Sequence, residues 1–291
     1  VVVAVGGGSI LDVGKSLCCL YGTDLPHADS LRRLIEEKSY GHPAARWIGV
    51  PTTAGTGSEV TCWATIWDPE RDAKRSVECR ENYAFAALVD PELAAGMPVT
   101  LAVSSALDAA AHAVESYWAK GTNAVSRGLA LEAIRTIMGH MDGLLAGTME
   151  AHEAMARGSM LAGLAFSNTK TTACHSISYP LTMHCGIPHG AAVSMLLGPV
   201  FQLNAQALAR PEPLLDALGV SSPEELAEKV CGILRRSGQP ATLKEWGAQR
   251  EELPRLARLG MTKGRADNNP VPIEPATILS ILEQIYDSSC N

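Results

Sequence analysis

VVVAVGGGSILDVGKS, residues 1–16, carries the fold of this chain in its first three segments. Val1–Val5 is a continuous apolar run, β-branched but for Ala4, GGGS a small turn, and the residues from Leu11 onward keep helical spacing. Strand, small turn, helix is the order in which a parallel sheet builds a phosphate site, and an unbroken apolar strand belongs to a sheet covered on both faces. Further strands are expected at RWIGV (46–50) and FAALVDPEL (85–93), the latter broken by Asp90-Pro91, with a hairpin at WATIWDPERDAKRSVE (63–78) turning at DPERD.

GGGS is not GxGxxG, and three glycines alone are weak evidence. A second small, hydroxyl-rich loop after a second strand, PTTAGTGSE (51–59), strengthens it. Backbone N–H groups of Gly7, Gly8 and Ser9 at a helix start suit a pyrophosphate, and Thr52, Thr53 and Thr56 suit a ribose or the nicotinamide side. Asp12 lies too near a phosphate to bind one and reads as orienting backbone donors or meeting a ribose or amide. Both loops as plain tight turns is the structural alternative.

From Pro98 the texture becomes alanine- and leucine-rich helix. Apolar residues recur at three and four in 100–119, 123–145 and 153–170, and shorter amphipathic helices follow at 213–219, 223–238, 241–247 and 251–260. A last helix is expected in the tail, capped by Pro275 or Thr277. A domain boundary therefore falls near residues 96 to 100, dividing an α/β part, 1–97, from an all-helical part, 98–291.

ALDAAAHAVE (106–115) sets Asp108 and His112 four apart, on one helical face. CHSISYPLTMHCGIPHG (174–190) adds His175 in a helix that Pro180 bends and His189 in a turn shaped by Pro188 and Gly190. One carboxylate and three imidazoles suit Fe(II), or alternatively Zn(II), with a position left for substrate. The bland alternative is local pairing of Asp108 and a backbone bond to His112. His184 is a weaker candidate with a solvent-facing reading of its own, while His27, His42, His140 and His152 have no ligand-like context.

With 291 residues, 46% apolar, the chain can form a large core. The formal net charge of −7, with no basic stripe, excludes a nucleic-acid surface. No apolar run approaches the roughly 20 residues of a membrane helix. Eight scattered cysteines without a CxxC repeat favour a reducing, cytoplasmic setting.

GGGSILDVGKS, PTTAGTGSEVT, VDPEL, ALDAAAHAVES and HSISYPLTMHCGIPHG, in that order, resemble the landmarks of the iron-containing, or group III, alcohol dehydrogenase family over most of the chain. The resemblance implies a dehydroquinate synthase-like fold: an α/β nucleotide-binding domain plus an all-helical metal-binding domain, with the active site in the cleft between them. It implies Asp108, His112, His175 and His189 as metal ligands. It implies Gly7, Gly8, Ser9, Asp12, Thr52, Thr53, Thr56, Lys74 and Leu93 as contacts of NADH or NADPH. It also implies that an N-terminal part of the fold, ahead of the GGGS strand, is missing.

Where many members carry HAxAHxxG this chain has HSISYPLT, so Tyr179 replaces a histidine near the nicotinamide, and Tyr179 and His184 are the candidates for proton transfer. HSISYPLT, GIPHG and TKGRADNNP look most like the branch that reduces phosphonoacetaldehyde to 2-hydroxyethylphosphonate. Lys263 and Arg265 then offer cationic donors to a small phosphonate, with Asn168 and Thr172 lining the pocket; a solvated loop is the plain reading of both cations. Alternatives are a general iron-type alcohol dehydrogenase, a hydroxyacid- or maleylacetate-type oxidoreductase, cyclase chemistry on the same scaffold, or an inactive nucleotide-binding relative. The expected partner is a small aldehyde, and a homodimer is compatible with the apolar helices and an open sheet edge.

Overall fold

The computed structural model describes residues 1–71 and 73–287. The chain runs β1 (Val2–Gly6), α1 (Gly8–Leu20), α2 (Ala28–Glu36), β2 (Trp47–Pro51), β3 (Trp63–Asp68), β4 (Ala73–Glu78), β5 (Ala86–Ala87) and α3 (Glu92–Ala95). Helices follow: α4 (Val99–Trp118), α5 (Ala124–Gly139), α6 (Met141–Leu145), α7 (Met149–Thr169), α8 (Ala173–Cys185), α9 (His189–Met195) and α10 (Leu197–Asn204). Then come α11 (Glu212–Leu218), α12 (Pro223–Arg236), α13 (Leu253–Leu259) and α14 (Pro275–Gln284).

β1 and β2 pair in parallel from Val2↔Trp47 to Gly6↔Pro51, and β2 pairs in parallel with β5, giving the order β1-β2-β5. Parallel pairing requires a crossover, which α1 and α2 supply. The third strand expected over 85–93 contracts to two residues. Phe85 and Leu88 still donate to Trp47 and Gly49 carbonyls at 2.8 Å on either side, before Asp90-Pro91 turns the chain into α3. β3 and β4 form a separate antiparallel pair, Trp63↔Glu78 through Asp68↔Ala73. Of the expected turn DPERD, Pro69–Arg71 is a 3-10 turn and Asp72 lies outside the described residues.

α4 is buried along nearly its whole length, because alanines over 106–113 let α5, α7 and α9 approach from several sides. The apolar period over 123–145 breaks in two: His140 leaves helical geometry, its Nδ1 at 2.8 Å from the Thr136 carbonyl, and separates α5 from α6. The segment 241–247 is not the expected helix. Its one turn closes when Glu245 turns back to accept from Ala241 N at 2.9 Å, and Gly247, at φ +86°, ends it. Pro275 stands at the first position of α14 after Glu274, as the preset proline φ favours. Among the described residues no helix is long and apolar enough to cross a membrane.

Candidate metal and cofactor site

Asp108 and His112 project from one face of α4, His175 from the first turn of α8, and His189 opens α9. Asp108 Oδ1 lies 3.4 Å from His175 Nε2 and 3.9 Å from His189 Nε2. Ligand atoms of Asp108, His175 and His189 all fall within 4.8 Å of one another. Tetrahedral bonds of about 2.1 Å give ligand–ligand edges of about 3.4 Å, so this spacing fits one small cation. Asp108 Oδ1 and His175 Nε2 are buried and lack a hydrogen-bond partner. Leaving such a group unsatisfied costs about 1–3 kcal/mol, which a shared cation would offset.

His112 stands beside this trio, its Nδ1 4.0 Å from Asp108 Oδ2 and its ring stacked on Phe166 at 4.2 Å and on His175 at 4.3 Å. Burial opposes the charge on Asp108, yet the surrounding imidazoles of His112, His189 and His175 hold its carboxyl well below the usual range. Burial, opposed in part by Asp108, pushes His112 down to about 4 and His189 to about 3. His175 differs: burial opposes its charge, but Glu115 and Asp108 outweigh that and raise it, so a divalent cation, which requires neutral imidazoles, would displace a proton there.

Glu115 was not singled out by the sequence reasoning. It follows Asp108 by seven residues, two turns along the same face, and is fully buried. Its carboxylate accepts from Thr172 Oγ1 at 2.8 Å and Cys174 N at 2.6 Å, and it pairs with His175 Nδ1. The i, i+4, i+7 spacing in DAAAHAVE was the available signal.

The centre opens on a cavity of about 680 Å³ whose opposite end is lined by Gly8, Ser9 and Thr56. Gly7 precedes α1 without a side-chain cap, and while Ile10 N turns back to the Gly7 carbonyl at 3.0 Å, the N–H groups of Gly8 and Ser9 are left for an anion. A Cβ on Gly8 would sit 2.6 Å from Thr56 Cγ2, so glycine here lets the two small loops touch. Asp12 is committed to the protein: it accepts from Ser58 Oγ at 2.6 Å and Thr65 N at 2.8 Å, tying α1 to the second loop and to β3.

Lys74 Nζ lies 3.4 Å from the centre of the Tyr179 ring, with the Arg265 guanidinium 5.6 Å from the same ring. Tyr179 stacks against His189 at 5.6 Å. Burial, aided by Arg265, pushes the Lys74 ammonium well below its ordinary value, and burial raises the Tyr179 phenol. Arg265 Nε is buried without a hydrogen-bond partner, and Lys263 lines the same wall.

Several expected residues are not brought to this cavity. His184 lies five residues past Tyr179, about 140° around the helix, and lines a separate cavity of about 260 Å³ with Cys185 and Glu252. Thr172 is fully buried and bonded to Glu115, leaving it no access to substrate; its neighbour Thr171 lines the cavity instead. Asn168 is exposed and turns its amide onto the Leu164 carbonyl. Leu93, 44% exposed on α3, and Thr52 and Thr53 do not line the cavity, although Thr53 packs against Gly7.

Two family models match in tandem: iron-containing alcohol dehydrogenase over residues 1–91, and the C-terminal region of the Fe-containing alcohol dehydrogenase family over 102–286. Lactaldehyde reductase of Escherichia coli is 31% identical over 97% of this chain and 75% of its own length. Phosphonoacetaldehyde reductase of Streptomyces viridochromogenes is 34% identical over 70% of this chain and 53% of its own. The crystal structure of sulfoacetaldehyde reductase from Bifidobacterium kashiwanohense in complex with NAD+ superposes with a TM-score of 0.89 at 29% identity, covering 99% of this chain and 76% of that one. The expectation of a fold with its N-terminal part missing is corrected to what the alignments give: the group III fold matches over 97–99% of this chain, which spans about three quarters of those relatives' length. Nor does one substrate branch stand out, since the similar reductases are named for different aldehydes.

Proposed function

As a member of the iron-containing alcohol dehydrogenase family, the chain is an NAD(P)-dependent enzyme that interconverts a small aldehyde and its alcohol with an iron-type metal, and we propose that its centre is held by Asp108, His175 and His189 with His112 beside them. The observation that carries this reading is the pair of buried, unpartnered ligand atoms, Asp108 Oδ1 and His175 Nε2, at one end of a cavity whose other end is the uncapped start of α1. When bound, the cation supplies Lewis acidity at the aldehyde oxygen and the dinucleotide supplies the hydride.

The chain's own residues do the rest. Gly8 and Ser9 hold the pyrophosphate through backbone N–H groups, with Thr56 beside them. Tyr179, pressed between His189, Lys74 and Arg265, walls the reacting end from water and keeps its phenolic proton, as a hydrogen-bond donor must. We assign residues 1–97 to the nucleotide-binding domain and 98–291 to the metal-binding domain.

A narrower reading is favoured by Arg265, whose buried Nε lacks a partner, beside Lys74. A guanidinium facing the cavity with a spare donor, and the Lys74 amine beside it, suit an aldehyde with an anionic end, phosphonoacetaldehyde being the reading of the tail motif.

The test is anaerobic NADH and NADPH oxidation by Fe(II)-loaded protein, with phosphonoacetaldehyde set against a neutral aldehyde of similar length. Turnover of either establishes the hydride reaction. At least tenfold preference for the phosphonate supports the narrower reading, equal rates sink it, and no turnover of any small aldehyde by metal-loaded protein overturns the general one.

A further inference from the structure

Every donor around Glu115 points at it. Cys174 N at 2.6 Å and His175 N at 3.4 Å are first-turn amides of α8, which have no partner within their own helix. Thr172, at the start of α8, makes no side-chain cap; its hydroxyl donates to Glu115 Oε1 at 2.8 Å instead. Trp118 Nε1, which can only donate, occupies the Thr172 oxygen at 2.8 Å, so the single hydroxyl proton is directed at the carboxylate. Glu115 therefore caps α8 from the neighbouring helix, and the N-terminal end of the helix dipole favours its ionised form.

We infer that Glu115 is the positioning residue of the metal centre: its carboxylate holds the His175 proton on Nδ1 and thereby keeps Nε2 a bare lone pair turned towards Asp108. Glu115 Oε2 is the atom that meets His175 Nδ1, and an ionised carboxylate can only accept. Nε2 is then the acceptor nitrogen, buried without a hydrogen-bond partner and 3.4 Å from Asp108 Oδ1. Fixing the tautomer and ring orientation of a ligating histidine through its other nitrogen is how an outer carboxylate tunes a metal site. Here one side chain couples helix start and ligand geometry, since the atoms it holds belong to Thr172, just ahead of α8, and to Cys174 and His175 in its first turn.

The inference rests on the assignment of Asp108, His175 and His189 as ligands, and the experiment separates the two. Co(II) affinity and the Co(II) visible spectrum are measured for the wild type, His175→Ala, Glu115→Gln and Thr172→Val, with thermal melts and NADH binding alongside. Glu115→Gln keeps the volume and one acceptor for the α8 amides but turns an amide donor towards His175. It is expected to lose about 10- to 100-fold in Co(II) affinity and to change the spectrum while still binding NADH. Thr172→Val, which removes a capping donor and leaves the Glu115–His175 pair, is expected to lower the melting temperature with the Co(II) spectrum unchanged. Wild-type Co(II) affinity and spectrum in Glu115→Gln overturn the role of Glu115 alone; a wild type that takes up no Co(II), or uptake unchanged in His175→Ala, overturns the ligand assignment with it. Should Glu115→Gln fail to fold, long-range ¹H–¹⁵N spectra of the histidine-labelled, Zn(II)-loaded wild type decide: a proton on His175 Nδ1 with none on Nε2 supports the inference, and a proton on Nε2 refutes it.

Discussion

His189 is the most accessible member of the trio, its side chain 28% exposed to the cavity, so its removal leaves little void behind. His189→Ala is expected to cost at least about 100-fold in metal affinity and a comparable loss of turnover, with the unfolding transition retained, since ligand loss should exceed the effect of losing an outer partner. Metal analysis after dialysis, paired with a melt, checks it; normal turnover at normal metal content would refute His189 as a ligand. For Arg265→Ala the expected change is a KM raised about tenfold for an anionic aldehyde, the equivalent of one charge-assisted hydrogen bond, and less than about twofold for a neutral one. Equal effects on both substrates would point to folding or cofactor placement instead. The spacing of Asp108 and His112 was legible because two polar residues on an alanine-rich face demand an explanation. Glu115 lay in the same quoted stretch and went unread, because a glutamate on a helix is ordinarily solvated. Tertiary contacts, which no spacing reveals, took Thr172 to Glu115 and His184 to the far side of α8.

Among the elements, α9 owes its place to a glycine. A Cβ on Gly190 would come within 1.9 Å of the Ser104 carbonyl oxygen, so α9 can lie against α4 only with glycine there. Gly190→Ala must push α9 outward and carry His189 with it. The expected result is overpacking destabilisation of about 1–3 kcal/mol together with a metal affinity reduced towards that of His189→Ala; a melt and a metal titration read the two separately, and an unchanged titration would show that α9 tolerates the shift. The β3–β4 hairpin is anchored differently. Asp68 at the end of β3 pairs with Arg32 of α2 at 2.7 Å and Arg75 of β4 at 2.8 Å, and these guanidiniums hold its carboxyl well below the usual range. A depressed folded-state value adds stability above the unfolded carboxyl value, about 3.9, and that contribution disappears as pH falls through the folded value. Asp68→Asn should therefore lower the melting temperature at pH 7, with the gap to wild type narrowing as pH drops below 4; a constant gap would assign the loss to packing. The hairpin and long helices were legible from periodicity. The shortened third strand, the break at His140 and the unhelical 241–247 were not, because each is set by partners distant in sequence.

For the molecule as a whole, the consequence of placing all the candidate ligands on α4, α8 and α9 is that one cation cross-links three helices, one of them the most buried in the chain. The cavity above them is walled on its other side by Gly8, Ser9 and Lys74 from the strand-bearing part. Metal and dinucleotide should therefore stabilise the fold from opposite ends. A cation present at about 100 times its Kd adds about 2.7 kcal/mol, provided that the unfolded chain does not bind it. In a chain of this size each kcal/mol moves the midpoint by about 2 °C or somewhat more, so chelation under anaerobic conditions should lower Tm by about 5 °C, and Fe(II) or Zn(II) should restore it. The shift should vanish in His189→Ala, whose melt a chelator ought to leave unmoved, while NADH still raises the Tm of both proteins through the Gly8–Ser9 end. A wild-type melt indifferent to chelator, with metal shown to have left, would mean that the buried carboxylate and imidazoles satisfy one another without a cation. The unpartnered Asp108 Oδ1 and His175 Nε2 argue for the opposite outcome.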